Sequence, residues 1–282
     1  MNTESDTLSP GSRYLFYGVA GLFAILGLIF FAAPAWATTN FLWKVTPFVT
    51  MTIGGWYVGN AIVAWDSART ARWSAIYPSL AYLSLFSVLE TAVVVLHRDL
   101  LRLTFALSWF YLFTLAVAVA VALVSGWALL RRRPELPRAG ATVPFWITAL
   151  VAAFVIFVLG LAGAGIAGPS TATDGSVFPD KITPFTVHAF VAFFLALAVG
   201  GSAWLLFVRS AEAIVVFVRD GLALLIPLLL AALVNLGDFD LAARPGGWVY
   251  LGSYLAALIA VGLILRYGRA QRVGLTPAQT GA

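Results

Sequence analysis

Cysteine is absent from this chain of 282 residues, and histidine and lysine occur only twice each. Without cysteine, the protein has no disulfide bond, no thiolate metal ligand and no cysteine nucleophile. Two histidines are too few to favour a haem held between helices, and neither lysine lies in the middle of an apolar run, where a retinal Schiff base would form. The HExxH and GxSxG signatures of metalloproteases and serine hydrolases are also missing. The sequence therefore predicts no cofactor and no metal site, and we expect that the protein is not an enzyme.

Charged residues are scarce as well. They make up only 10% of the chain, whereas hydrophobic residues make up 61%. Soluble domains contain about 25% charged and roughly 45–50% apolar residues. A chain of this length could not cover so much apolar surface with polar groups, so the composition indicates an integral membrane protein.

Apolar runs long enough to cross a bilayer occur eight times. A helix of about 20 apolar residues spans the hydrocarbon core of a membrane, which is roughly 30 Å thick. The predicted spans are Tyr14–Ala35, Val45–Ala64, Ser74–Leu96, Leu103–Leu130, Val143–Gly168, Ile182–Val208, Ala213–Leu236 and Gly247–Leu265. The sequence thus predicts an all-α, polytopic transmembrane helical bundle with short connections.

Basic residues are distributed unevenly between the two sides that this topology defines. Twelve of the 17 lysines and arginines fall on the side of the two termini. The other side holds Lys44, Arg98, Arg102, Lys181 and Arg244. Cytoplasmic loops carry such an excess, so both termini are expected in the cytoplasm. The net charge of +5 is then a signal of topology, and no nucleic-acid partner is expected.

A five-residue segment occurs twice, as KVTPF at residues 44–48 and as KITPF at residues 181–185, and it contains both lysines. Proline is favoured in the first turn of a helix, and the preceding threonine can cap that turn with its hydroxyl. Lysine and phenylalanine suit the membrane boundary. Each copy is therefore predicted to begin a span at the outer face, through Lys44, Thr46, Pro47 and Phe48 in the first and Lys181, Thr183, Pro184 and Phe185 in the second.

Similarity between the halves continues beyond these caps. Gly55 and Gly59 have the spacing of small residues that lets helices approach closely, as do Ala196 and Gly200. The offset between the copies is 137 residues at the lysines (181 − 44) and 141 at the second glycine (200 − 59), so the second copy gains about one helical turn. Four spans per copy give two parallel four-helix repeats. The predicted organisation is a disordered cytoplasmic tail (1–13), a first repeat (14–130), a basic cytoplasmic linker (131–142), a second repeat (143–266) and a disordered tail (267–282).

The segment TPFVTMTIGGWYVGNAIVAW at residues 46–65, followed by SAIYPSLAY at 74–82, resembles a group of uncharacterised bacterial polytopic membrane proteins. In that group, an outer Leu-Thr-Pro cap leads into a helix rich in glycine, alanine and tryptophan, and the unit often occurs twice. The first copy matches this pattern well and the second poorly, since Phe193 and Phe194 stand where the first copy has Trp56. The resemblance implies a duplicated fold in a bacterial cytoplasmic membrane and no particular chemistry.

Ionisable residues inside the spans are candidates for function because burying them in a membrane is costly. Glu90 lies about two turns from the outer end of its span and could carry a proton or bind a cation; a packing hydrogen bond is the alternative. His188 lies at a similar depth, so it could pair with Glu90, relay protons or contact a solute, or serve packing alone. Arg219 and Asp220 form either an intramembrane ion pair beside an inner cavity or, if the span begins at Gly221, interfacial charges.

Small residues are expected to bring helices close together. The fifth span ends in GLAGAGIAG at residues 160–168, and we predict packing there through Gly160, Ala164 and Gly168, besides Gly55, Gly59 and Gly200 elsewhere. Asp238 and Asp240 in the last outer loop resemble the acidic pair of membrane transferases that use lipid-linked donors. Two acidic residues in a solvated loop are common, and this hypothesis ranks last.

Few polar residues lie within the spans, which disfavours strongly polar solutes. The leading hypothesis is transport or binding of a small or hydrophobic solute at the interface between the repeats. The alternative is a non-catalytic structural or accessory role in which the protein binds lipid or a membrane partner. The bilayer is the predicted partner in both cases, and the sequence leaves the oligomeric state open.

Overall fold

The computed structural model describes residues 6–132, 143–167, 178–180, 182–208 and 210–274. These residues are helical apart from the connecting segments and one isolated bridge between Thr7 and Arg72, so the predicted all-α class is confirmed. The helices are α1 (Pro10–Ala32), α2 (Pro34–Asn40), α3 (Pro47–Thr70), α4 (Trp73–Leu96), α5 (Ala106–Arg132), α6 (Phe145–Ala167), α7 (Pro184–Leu195, continued by Ala196–Ser202 and Ala203–Val208), α8 (Ala211–Val234) and α9 (Gly246–Gly274). Short 3₁₀ turns follow α4 and α8 at Arg98–Leu100 and Leu236–Asp238.

Seven helices in the described part of the chain are long and apolar enough to cross a membrane: α1, α4, α5, α6, α7, α8 and α9. Helix α3 is a continuous helix of 24 residues, but polar residues and glycines interrupt its apolar sequence. Large apolar side chains such as Ile25, Ile156 and Leu263 lie exposed on the outer surface of the bundle. Because water would not tolerate so much exposed apolar surface, the structure indicates a multi-pass membrane protein.

Threonine and proline begin α3 and α7 in the same way. Thr46 and Thr183 are the N-cap residues, and their hydroxyls accept hydrogen bonds from the backbone N–H groups of Val49 and Thr186. A proline follows each threonine at the first helical position. The Thr46 hydroxyl also donates to the carboxylate of Asp180, at 2.6 Å. Lys181 lies outside the described residues.

The two ends of the bundle are defined by contacts between helix ends. At the cap end, which contains Thr46 and Thr183, the indole of Trp43 donates to the hydroxyl of Thr186, at 3.2 Å. At the opposite end, here called the basic end, Arg13 donates to the carbonyl of Ala68, and Arg72 pairs with Glu212. The long helices therefore alternate in direction between these two ends.

The chain termini are more ordered than the sequence suggests. The predicted disordered tail at residues 1–13 is wrong for the described part, because α1 begins at Pro10 and Asp6 accepts hydrogen bonds from the N–H and hydroxyl of Ser74. These bonds satisfy a donor in the first turn of α4. The tail expected at 267–282 is likewise helical as far as Gly274. Most of the predicted linker 131–142 lies outside the described residues.

Helix packing divides the bundle into two groups. In the first group, α1 packs against α3, α4 against α5, and α1 against α5. The second group repeats this arrangement, with α6 against α7, α8 against α9, and a sparse contact between α6 and α9. Between the groups, α3 packs against α8, and α4 packs against α7. We call this central contact the seam.

Glycines set the closest helix approaches. A Cβ atom at Gly59 would lie 2.8 Å from the carbonyl oxygen of Ala223 on α8, and one at Gly200 would lie 2.9 Å from that of Ala81 on α4. Gly27 and Gly54 bring α1 and α3 equally close, which sequence analysis missed although Gly27 stands in a glycine-rich run.

Three predicted packing positions on α6 have different outcomes. Gly160 faces open space and Ala164 is exposed, so the prediction is wrong for both, and Gly168 lies outside the described residues. The neighbouring Gly165 makes the close contact instead, against Val191 on α7. Among the described residues, this end of α6 is covered on the side of Gly165, whereas Gly160 and Gly163 meet no neighbouring helix.

Candidate functional site

An elongated cavity of about 390 Å³ lies among α6, α7, α8 and α9. Its walls are predominantly apolar and include Leu150, Phe154, Phe194, Leu225, Ala257 and Val261. Along α9 the lining runs from Val249 to Ile264, which corresponds to about 22 Å at the rise of an α-helix. The cavity also reaches the seam, where Val63 of α3 and Tyr82 of α4 line it.

The side of this cavity between α6 and α9 faces outward. The two helices share few contacts, one of which is an edge-to-face contact between the rings of Trp146 and Tyr267. Two lining residues beside this gap, Phe157 and Val249, are 40% and 54% exposed. In a membrane-embedded bundle, this gap would open toward lipid and not toward water.

Helix α7 changes its geometry where it lines the cavity. Residues Ala196–Ser202 form a π-helical segment, and both Leu197 and Ser202 contribute to the wall. Such segments are rare, widen the helix locally and occur frequently at functional sites. The extra turn of the second sequence copy lies between Phe185 and Ala196, immediately before this segment.

Polar groups in the cavity are few. Asp220 on α8 lines it and is only 2% exposed. One oxygen of Asp220, Oδ2, accepts a hydrogen bond from the hydroxyl of Ser79 on α4, at 2.6 Å, whereas Oδ1 has no hydrogen-bond partner among the described residues. The buried side chains of Tyr250 and Tyr254 line the half nearer the cap end, and their hydroxyls lie close to each other. An apolar cavity with a few convergent polar groups is typical of a small-molecule site.

Arg219 and Asp220 have separate roles in this geometry. The guanidinium of Arg219 pairs with Asp66 on α3 at 2.8 Å and lies 3.8 Å from Oδ1 of Asp220. Helix α8 is unbroken from Ala211 to Val234, so Arg219 and Asp220 lie within a continuous helix that does not begin at Gly221. The expected cavity is present beside Asp220, but the short ion pair of Arg219 is made with Asp66, which sequence analysis did not single out.

A second, much smaller cavity lies in the first helix group. It measures about 20 Å³, room for little more than one water molecule. In the same group, the ring of Tyr57 contacts those of Phe23, Phe86 and Tyr111. The two cavities therefore differ about twentyfold in volume.

Glu90 lies on α4 in the first helix group and lines neither cavity. It is only 1% exposed, and its Oε1 has no hydrogen-bond partner among the described residues. Of Glu90, His188 and Asp220, only Asp220 lines the large cavity. Nothing in this geometry connects Glu90 to a route across the membrane.

His188 hydrogen-bonds to His97, with 2.8 Å between their ring nitrogens. The predicted partner, Glu90, lies on the same helix as His97 but nearer its middle, and the C-cap position of His97 places its ring beside the start of α7. Phe185 stacks on His97 at 4.8 Å and on Trp43 at 4.2 Å. The start of α7 is thus packed against the end of α4.

Burial and the neighbouring His188 lower the pKa of His97 from its ordinary value of 6.5. Below that value, the unfolded chain binds a proton before the folded protein does, so we expect stability to decrease as the pH falls from 7 to 5. Thermal unfolding in detergent measures this loss. The double variant His97→Asn/His188→Met, which removes both titratable rings, should show a smaller loss. An equal loss in both proteins would contradict the assignment to this pair.

Asp238 and Asp240 form no catalytic arrangement in the described structure. Both are exposed, and Asp240 accepts a hydrogen bond from the N–H of Ala243, which stabilises the turn before α9. No cluster of three or more metal-ligating side chains occurs in the described ranges. These positions therefore add no support to a transferase.

Comparisons with known proteins find no relative: no family model, no curated protein and no solved structure matches the chain. The class that the fold itself defines is a multi-pass helical membrane protein with one large apolar cavity in its second helix group.

Proposed function

We propose that the protein binds an elongated apolar ligand, taken up from the bilayer through the gap between α6 and α9. It would do so as a non-enzymatic, eight-span protein of a bacterial cytoplasmic membrane. The observation that carries this proposal is the difference between the two helix groups: about 390 Å³ of apolar cavity in the second and about 20 Å³ in the first. Close packing is normal in a protein interior, so a cavity of this size indicates that space is retained for an occupant.

Helix α3 is the eighth span in this proposal. Its 24 residues correspond to about 36 Å, and its ends reach both ends of the bundle through Thr46 and Asp66. This helix is less apolar than the other spans because it lies at the centre of the bundle, where polar side chains meet protein. Thr52 and Asn60 are fully buried, and Asn60 accepts a hydrogen bond from Tyr82 at 2.7 Å. Polar residues are tolerated within a membrane where they face protein and not lipid.

Two parallel four-helix repeats account for the packing. Each helix contact described above for the first group has a counterpart within the second. A two-fold rotation that exchanges the two groups would also exchange the two crossings of the seam, α3 with α8 and α7 with α4. Equivalent side chains also meet: His97 contacts His188 across one crossing, and Asn235 donates to the sulfur of Met51 across the other, at 3.5 Å. His97 and Asn235 both cap their helices and both precede a 3₁₀ turn.

Cytoplasmic termini are supported by the basic residues near the basic end of the bundle. Most tryptophans also occupy the two boundary levels that a membrane would define. Those between 40% and 63% exposed are Trp36, Trp65, Trp109, Trp127, Trp146, Trp204 and Trp248. They lie near helix ends, where amphipathic rings meet the lipid headgroups.

Filling the cavity should abolish ligand binding. We expect Ala257→Phe, which places a ring in the cavity, to remove the apolar molecules that remain bound to the purified wild-type protein. The matched control is Ile259→Phe on the same helix, at a position that is 57% exposed and outside the lining. Native mass spectrometry of the detergent-solubilised protein, followed by lipid extraction, measures the bound mass.

Retention of the same bound mass by both variants would place the ligand elsewhere and contradict the proposed site. A wild-type protein that carries no bound mass, and is stabilised by no added lipid or apolar molecule, would instead favour the structural or accessory role. Flux of the bound molecule across vesicles would extend binding to transport.

A further inference from the structure

We infer that the ligand is an amphiphile with an amine at one end, which pairs with Asp220 while the apolar body occupies the rest of the cavity. This inference rests on the proposed function, since it identifies the chemical class that the same cavity takes. It follows from the placement of one buried carboxylate, from the charges around it and from the character of the remaining wall.

Asp220 lines the cavity, and one of its carboxylate oxygens is an unused acceptor. Ser79 occupies Oδ2, and Oδ1 accepts no hydrogen bond from a described residue although the side chain is almost wholly buried. A buried polar atom without a partner is costly and is normally paired. A hydrogen-bond donor on a bound molecule would supply the missing partner.

Charge balance favours a donor that is also positive. Asp66, Arg219 and Asp220 lie within one chain of contacts, and Arg219 is nearer to Asp66, at 2.8 Å, than to Asp220, at 3.8 Å. Two carboxylates and one guanidinium leave one negative charge uncompensated when all three are ionised. A protonated amine provides both the hydrogen bond and the compensating charge, whereas a hydroxyl provides only the bond and a carboxylate is repelled.

The rest of the cavity sets the shape of the molecule. The wall offers apolar side chains from Leu224 to Leu228 on α8 and from Ala257 to Val261 on α9. The next polar side chains on α9, toward the cap end, are Tyr250, Ser253 and Tyr254. A linear apolar chain that extends from Asp220 toward these tyrosines fits this arrangement. Both a free long-chain amine and a lipid with an amine headgroup have this chemistry.

The test compares probes in the full-length protein by native mass spectrometry. Dodecylamine, dodecanol and dodecanoic acid are added in turn, and phosphatidylethanolamine is compared with phosphatidylcholine, whose methylated nitrogen lacks an N–H donor. The variants are Asp220→Asn, which keeps the shape and removes the charge, and Glu90→Gln, which removes a buried carboxylate outside the cavity. Because every variant is measured in the same detergent, the partitioning of a given probe into micelles cancels when its binding is compared between variants.

We expect wild-type protein and Glu90→Gln to bind dodecylamine roughly tenfold more tightly than dodecanol, the usual scale for a hydrogen bond to a charged group. Asp220→Asn should reduce this preference to about threefold or less. A preference for phosphatidylethanolamine over phosphatidylcholine that is lost in Asp220→Asn would identify a lipid as the source of the amine, and a preference limited to dodecylamine would identify a free amine.

Equal binding of amine and alcohol, unchanged by Asp220→Asn but abolished by Ala257→Phe, would overturn the inference and leave the apolar site intact. Binding of all probes that neither Asp220→Asn nor Ala257→Phe alters would overturn both. An amine preference that Glu90→Gln removes and Asp220→Asn does not would also overturn the inference, because it would place recognition in the first helix group.

Discussion

Replacing Trp56 by alanine should lower the free energy of unfolding by about 2–4 kcal/mol. In soluble proteins, truncation of a buried tryptophan costs roughly 3–5 kcal/mol. Within a membrane, part of that cost disappears because lipid is as apolar as the protein interior, whereas the loss of packing remains. Trp56 is 1% exposed, stacks on Phe193 at 4.7 Å and meets Phe190 edge-on at 4.8 Å. It therefore ties α3 to α7 across the centre of the seam.

Titration with a denaturing detergent such as SDS measures this loss. Trp248→Ala is the control, since that ring is 63% exposed at the cap end and should change the free energy of unfolding little. Trp56→Phe should be milder than Trp56→Ala, because it retains a stacked ring and removes an indole N–H that has no hydrogen-bond partner among the described residues. Equal effects of Trp56→Ala and Trp248→Ala would show that the seam is not packed as described.

Gly59→Ala should cost about 1–3 kcal/mol, the usual range for overpacking. The added Cβ would lie 2.8 Å from the carbonyl oxygen of Ala223 and 2.9 Å from the Cα of Leu224, and both are backbone atoms of α8. A side chain could turn aside, but backbone atoms move only if the helices separate. The substitution should therefore loosen the crossing of α3 and α8.

Gly55→Ala is a matched control on the same helix and against the same partner. Its Cβ would approach Pro227 no closer than 3.2 Å, a tight contact that small shifts relieve. Alanine is also favoured over glycine within a helix by about 1 kcal/mol, which offsets the remaining strain. The same SDS titration should thus rank Gly59→Ala well below Gly55→Ala in stability, and the reverse order would contradict the described crossing.

Much of the architecture could be predicted from composition and pattern. Runs of apolar residues located the spans, and the segment shared by residues 44–48 and 181–185 located the starts of α3 and α7, because capping depends on local sequence. The predicted span Val45–Ala64 corresponds to most of α3, which is not among the seven described helices that are long and apolar enough to cross a membrane. The ordered segment around Asp6 could not be predicted, since its contacts are with a turn more than sixty residues away.

The candidate site was predicted less completely. Asp220 was singled out as a charged residue inside a span, and the structure places it on the cavity. The cavity itself depends on which side chains of distant helices fail to meet, and no local pattern reports that. His97 was overlooked because it follows the apolar run of its span, and Glu90 drew attention because of its depth. Depth along a helix does not specify which neighbour a side chain faces. The helix packing brings His188 to His97 and not to Glu90.

An experimental density map of the full-length protein in lipid nanodiscs would test the central claim most directly. The account predicts elongated non-protein density among α6, α7, α8 and α9, entering between α6 and α9 and ending at Asp220, with no counterpart in the first helix group. A second helix group closed by its own side chains, with α6 packed against α9 and no room beside Asp220, would contradict it.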